Sequence, residues 1–291
     1  MGLCLNRGGP IRGHRQMESL MNRQKIVQRN NVHLIGSGSR TMMLAHGFGC
    51  DQTMWRYLIP RLREYYTLVL FDYVGSGGSD TTAFDADRYG ELEGYAKDVT
   101  EICEALELKD VIFVGHSVSS MIGLIASQTH PELFDRLVMV CPSPCFLNIP
   151  PDYLGGFERE DLQELLDLME RNYLGWASFM APLVMGREAP KELVDDLANS
   201  FCSTDLNAAR VFARATFLSD YRHILPDAKH PTLILQSETD ALAEQRIGRY
   251  VHERMPGSTF ALIKGEGHCL HMTHPDQVTD VIQGFCADRS Q

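Results

Sequence analysis

Val111-Ile112-Phe113-Val114-Gly115-His116-Ser117-Val118-Ser119, running on into the helix-forming stretch Met121 to Ala126, decides how this chain folds. Four consecutive apolar residues read as a short strand covered on both faces. The residues after Ser119 read as a helix, so Ser117 falls in a sharp strand-to-helix elbow. That geometry lifts a serine hydroxyl clear of its neighbours and presents it as a nucleophile. A serine hydroxyl is weakly nucleophilic at neutral pH. The chain must therefore also supply a base, an acid to orient that base, and donors for a developing oxyanion.

Candidates for all three occur in the order serine, acid, histidine. Gly265-Glu266-Gly267-His268-Cys269 follows a strand pattern, and its flexible loop can carry His268 over the Ser117 hydroxyl as general base. His271 and His274 lie closer to the next helix and are expected to cap or bond its end, while His116 is expected to pack beneath the elbow. Asp240 ends Leu233-Ile234-Leu235-Gln236-Ser237-Glu238-Thr239-Asp240, where its carboxylate can accept the Nδ1 proton of His268; Glu238 is the rival. For the oxyanion, the backbone amides of Val118 and of Phe48 in His46-Gly47-Phe48-Gly49 are the expected donors. The Phe48 ring would also roof a pocket.

Length and composition fit this reading. The chain has 291 residues, 44% of them apolar and 22% charged, with a net charge of −11. That is material for one large domain with an insertion, and no apolar run approaches the roughly 18–20 residues of a membrane span. The acidic balance argues against nucleic-acid binding. Eight cysteines are scattered without a disulfide framework, as expected of free thiols in a reducing cytoplasm. Cys141 and Cys145 lack the partners of a zinc clip, and no metal or cofactor is expected. The run Asp72-Tyr73-Val74-Gly75-Ser76-Gly77-Gly78-Ser79 lacks the spacing of a nucleotide loop and reads as a structural turn beside the site. Residues 1–24 carry no signal-peptide apolar core, and Asn6 spoils the myristoylation pattern opened by Gly2, so they read as a disordered arm or a misplaced start.

From Gln24 onward, short apolar runs alternate with helical stretches, which predicts a mostly parallel sheet with crossover helices. Strands are expected at Val27 to Leu34, Thr41 to Ala45, Thr67 to Phe71, Val111 to Val114, Leu137 to Cys141, Thr232 to Gln236 and Thr259 to Ile263. Helices are expected at Trp55 to Arg63, Tyr89 to Leu106, Ser119 to His130, Gln245 to Arg254 and Pro275 to Ala287. The implied fold class is α/β, the α/β-hydrolase fold: a mostly parallel eight-stranded sheet, helices on both faces and an inserted helical cap. Residues 25–144 and 218–291 would form the core and 145–217 the cap. Of the cap's many apolar residues, Trp176, Phe179, Val184 and Phe217, with Phe48 below, are expected to line a pocket for a small hydrophobic ligand.

Several stretches carry a closer resemblance: His46-Gly47-Phe48-Gly49-Cys50-Asp51-Gln52, Phe71 to Gly77, Gly115 to Ser119, Pro142-Ser143-Pro144-Cys145, Gly155-Gly156-Phe157-Glu158, Phe201-Cys202-Ser203-Thr204-Asp205 and Gly267-His268-Cys269. The chain from Val27 to its last helix resembles the RsbQ-like α/β-hydrolases, bacterial stress-response regulators related to the plant strigolactone and karrikin receptors. Ser119 stands where the common hydrolase elbow has glycine, a departure shared with the plant receptors. The resemblance implies a Ser117, Asp240, His268 triad under a four-helix cap with a hydrophobic pocket. It further implies either of two outputs. One is activation of sigma factor B together with an RsbP-like sensor phosphatase. The other is slow cleavage of a butenolide lactone coupled to partner recruitment by the cap.

Overall fold

Burial along the central strands alternates between two hydrophobic layers, which explains why those strands are apolar without interruption. The computed structural model describes residues 11–287. In β2 (Arg40–Ala45), Met42 and Leu44 enter one layer while Met43 and Ala45 enter the other. The same division holds in β4 (Val111–His116), where Ile112 and Val114 face away from Val111 and Phe113. A sheet covered on both faces demands this pattern.

With β1 (His33–Ile35), β3 (Tyr66–Leu70), β5 (Phe134–Val140), β8 (Thr232–Thr239) and β9 (Ser258–Glu266), these strands form a seven-stranded sheet in the order β1-β3-β2-β4-β5-β8-β9. All neighbours are parallel except β1, which runs antiparallel to β3. A separate two-stranded hairpin pairs β6 (Asn148–Ile149) with β7 (Tyr153–Leu154). The helices are α1 (Ile11–Arg29), α2 (Ile59–Leu62), α3 (Ala86–Tyr89), α4 (Leu92–Ala105), α5 (Val118–Thr129), α6 (Arg159–Arg171), α7 (Tyr173–Met185), α8 (Lys191–Ser203), α9 (Leu206–Phe217), α10 (Gln245–Arg254), α11 (Leu270–Thr273) and α12 (Pro275–Cys286). Helices α2 and α12 cover one face, and α4, α5 and the Val251 turn of α10 cover the other. The run α6 to α9 lies between β5 and β8 and continues the first layer above the strand ends.

Four expectations are corrected. The sheet has seven strands among the described residues, not eight. The strand expected over Val27 to Leu34 is mostly the end of a helix, and residues 11–24, expected to be disordered, are its earlier turns. The helix stops at Asn31, whose φ of 46° is left-handed. The amides of Asn31 and Val32 turn back to the carbonyls of Gln28 and Val27, a glycine-type helix stop that asparagine tolerates. Only three residues then remain to pair as β1. The end of α1 is tied down by the buried Asp98 carboxylate, which accepts from Asn30 Nδ2 at 3.0 Å and Arg29 Nη2 at 3.1 Å. Met1 to Pro10, with Gly2, Cys4 and Asn6, lie outside the described residues. The expected helix from Tyr89 to Leu106 is broken at Gly90 into α3 and α4.

The sheet positions the elbow through backbone contacts. Ser117 N–H continues the β4–β5 ladder by donating to Val140 O at 2.8 Å, and Cys141 N–H does the same to Leu235 O at 2.8 Å. Helix α5 then turns back so tightly that a Cβ on Gly115 would sit 2.4 Å from the Ser119 carbonyl oxygen. Backbone cannot yield as a flexible side chain can. Gly115→Ala is therefore expected to lower stability by about 1–3 kcal/mol through overpacking, measured by urea unfolding; an unchanged midpoint would mean that the elbow has slack.

Candidate active site

Ser117 sits at φ 56°, ψ −122°, outside the favourable regions for a residue with a Cβ. Strain of this kind persists only where surrounding structure imposes it, and here the ladder bond of its amide and the start of α5 do so. Its Oγ lies 2.7 Å from His268 Nε2, and His268 Nδ1 lies 2.7 Å from Asp240 Oδ2. A carboxylate can only accept, so Nδ1 carries the proton. In the neutral ring Nε2 is then left to accept from the Ser117 hydroxyl. Asp240 Oδ1 accepts from the amides of Leu242 at 2.8 Å and Ala243 at 3.0 Å, which fixes the carboxylate plane. All three residues are buried, and the rival Glu238 is exposed.

The loop bearing His268 is held from three sides. Gly267, at φ 105°, donates to Thr239 O at 2.8 Å, and His268 N–H donates to Val184 O at the end of α7 at 2.7 Å. His116 Nε2 donates to the His268 carbonyl at 3.0 Å. His116 thus lies beside the elbow and also lines the cavity above it. His271, expected to bond a helix end, is instead fully buried with both ring nitrogens unpartnered, tilted against Trp55 at 4.6 Å and His116 at 4.5 Å. His274 Nδ1 meets Thr273 Oγ1 at 2.8 Å and makes no side-chain bond to the amides of α12.

The two expected oxyanion amides lie on different elements. Val118 is the first residue of α5, where an amide has no acceptor within the helix. Phe48 lies in the loop after β2, and Ser119 explains how that loop is held. Ser119 Oγ donates to His46 O at 2.5 Å and accepts from Tyr73 OH, 3.0 Å away. His46 Nδ1 donates to Gly47 O at 2.9 Å, and its Nε2 accepts from Tyr73 N–H at 3.1 Å. Serine at the usual glycine position therefore ties the elbow to the loop carrying Phe48. The glycine-rich turn after Asp72 also makes intramolecular contacts: the Asp72 carboxylate accepts from Gln52 N, Asn31 Nδ2 and Gly78 N at 2.7–2.9 Å.

Above Ser117 lies an apolar cavity lined by Phe48, Trp176, Val184 and Phe217, as expected, and also by Cys50, Phe146, Met180, Leu197, Phe201, Leu242 and Cys269. The Phe48 ring meets Trp176, Phe212 and Phe217 edge-on at 5.6–5.9 Å. Phe179 is corrected: it is 56% exposed and points away from the cavity. Helix α7 is apolar almost all round, so its pattern did not show which side faces inward; the buried positions are Trp176, Ala177, Met180, Ala181, Val184 and Met185. Leu242 and Cys269 carried a usable signal, since each lies within two residues of Asp240 or His268. Leu197 carried none. Free space for a water-sized body is about 30 Å³, room for roughly two waters, so a larger ligand needs the lining side chains to rearrange.

The fold agrees with that of known proteins. The profile of the alpha/beta hydrolase family matches residues 42–281. The chain belongs to that family. It is 40% identical over 258 residues to a karrikin insensitive 2 receptor of Petunia hybrida, covering 88% of this chain and 95% of that protein. It is 34% identical over 264 residues to the strigolactone esterase D14 of Arabidopsis thaliana, covering 90% and 98%. Among solved structures, a hydrolase from Oleispira antarctica superposes with a TM-score of 0.89 at 52% identity, covering 90% of this chain and 96% of that one. Among the described residues no helix is long and apolar enough to cross a membrane.

Burial pushes three imidazoles near the site below their ordinary range: His46, His116 and His271, the last to about 3. Folded, they stay neutral where the unfolded chain takes up protons near pH ~6.5. The unfolded state therefore binds more protons as pH falls, and stability drops below that pH by about 1.4 kcal/mol per unit per group. His271→Phe is expected to remove one group's share of that slope between about pH 6 and pH 4, read from urea unfolding at stepped pH. An unaltered slope would mean His271 charges within the fold.

Proposed function

We propose that the protein is a serine hydrolase of small hydrophobic esters or lactones. The observation that carries this reading is the unbroken hydrogen-bonded line from Ser117 Oγ through His268 to Asp240 at the floor of an apolar cavity. Ser117 Oγ attacks the ligand carbonyl while His268 Nε2 takes its proton, and Asp240 stabilises the imidazolium that forms. The Phe48 and Val118 amides receive the oxyanion. Collapse expels the alcohol, protonated by His268, and leaves an acyl group on Ser117. Water activated by the same imidazole then releases the acid. With a lactone the alcohol stays tethered to the acyl group until that second step.

A second reading, a ligand receptor with slow or single-turnover cleavage whose output is partner binding, is favoured by the likeness to the petunia karrikin receptor and by the restricted cavity. Action in the cytoplasm beside an RsbP-like sensor phosphatase, as a positive regulator of sigma factor B, rests on the motif resemblance alone. The two readings share a pocket and differ in turnover.

p-Nitrophenyl esters of short and medium acyl length are expected to be cleaved, and Ser117→Ala is expected to lose more than about a thousandfold of that rate. Equal rates in both proteins would sink the nucleophile assignment. If Ser117→Ala supports the downstream response in a host, the receptor reading stands and cleavage is dispensable. Ser119→Ala, which frees the His46 carbonyl, is expected to lower kcat by about tenfold or more with little change in KM, since the Phe48 amide would drift from the oxyanion position. A change confined to KM would show that Ser119 acts on binding instead.

A further inference from the structure

We propose that Cys141, Asp240 and His268 form an inhibitory binding site for a soft divalent cation such as Zn²⁺, built on two members of the triad and the thiol beside them. One ligand atom from each residue lies within 4.8 Å of the others, and all three side chains are buried. Cys141 follows β5 directly, at φ 51°, and its amide is fixed to Leu235 O of β8, so the thiol is delivered beside the loop that carries Asp240. A thiolate, an imidazole and a carboxylate are a zinc donor set, and three protein ligands leave a fourth position for water.

The proton balance explains why occupancy would inhibit. Without the cation, the Cys141 thiol keeps its proton, and His268 Nδ1 faces the Asp240 carboxylate at 2.7 Å. Burial and the neighbouring Asp240 raise the Cys141 thiol well above its ordinary range, so it loses its proton only when a cation takes that place. On binding, the thiol proton leaves to solvent and the Nδ1 proton moves to Nε2. Two positive charges enter and one leaves, so the buried cluster gains one positive charge. Nε2 now carries a hydrogen and can no longer accept from Ser117. The base is disabled by a change of tautomer, with the fold intact.

Release of one proton per cation makes affinity rise about tenfold per pH unit while the thiol is protonated in the free site. The groups facing Cys141 and His268 are Asp240, Cys269, His116, His271 and the Ser117 hydroxyl. Of these, the two extra histidines are held neutral by burial, which leaves Cys141 as the group whose proton is exchanged. Entry through a buried site predicts slow onset.

The inhibitory effect rests on the triad proposed above; the binding does not. The test is therefore equilibrium dialysis of the full chain against Cd²⁺, with the ultraviolet thiolate-to-cadmium band and released protons followed together, and ester turnover with Zn²⁺ run beside it. The intact protein is expected to take up one more equivalent than Cys141→Ala, with the added band and one proton. Its turnover is expected to fall slowly, with the half-inhibiting Zn²⁺ concentration at least about tenfold higher in Cys141→Ala, each protein scored against its own metal-free rate. Cys141→Ser serves as a second variant should the alanine fail to fold. Uptake or inhibition unchanged in both variants overturns the site, as does loss of the extra equivalent in Cys269→Ser but not in the Cys141 variants. If no ester is turned over at all, the hydrolase reading fails while uptake still decides the site.

Discussion

The bond from His268 Nδ1 to Asp240 is the interaction on which the site depends. It fixes which ring nitrogen carries the proton, and so turns the other toward Ser117 as an acceptor. Everything around it holds that bond in place. Two amides at the start of the loop after β8 orient the carboxylate, Gly267 gives the turn that brings the histidine in, and the elbow strain at Ser117 keeps the hydroxyl within reach. Burial strengthens the arrangement, because a charge pair formed during reaction in a dry site is screened less than one in water.

Much of this was legible in the sequence because it follows from local rules. The elbow, the two strand-end loops and the chain order of serine, acid and base all sit in short segments whose residue types dictate a turn or a strand. What the sequence hid was decided between segments. Residues 27–34 combine β-branched and polar residues that suit either state, and the choice fell to Asn31, which could end a helix, and to Asp98, which bonds the end of that helix from 68 positions away through Asn30. Phe179 was misplaced for a related reason: on a helix apolar all round, the inward side is chosen by the partners it meets. Ser119 looked like a departure from the elbow pattern, and only the positions of His46 and Tyr73 show what its hydroxyl does.

The helices between β5 and β8 supply about half of the cavity wall, while the strand ends supply the groups with chemistry. The division is that of a rigid sheet presenting reactive groups and a less regular insertion shaping what reaches them. Helix α7 joins the two. Its inward side chains line the cavity, and its last turn touches the loop that carries His268.

That contact has an evolutionary side. Val184 faces the cavity with its side chain but holds His268 with its backbone carbonyl. A substitution at position 184 can reshape what the cavity accepts without removing the bond, since every amino acid brings the same carbonyl. Ligand preference and base alignment are thereby separable at this position, and a lineage can explore new pocket shapes there while keeping its reactive centre in register.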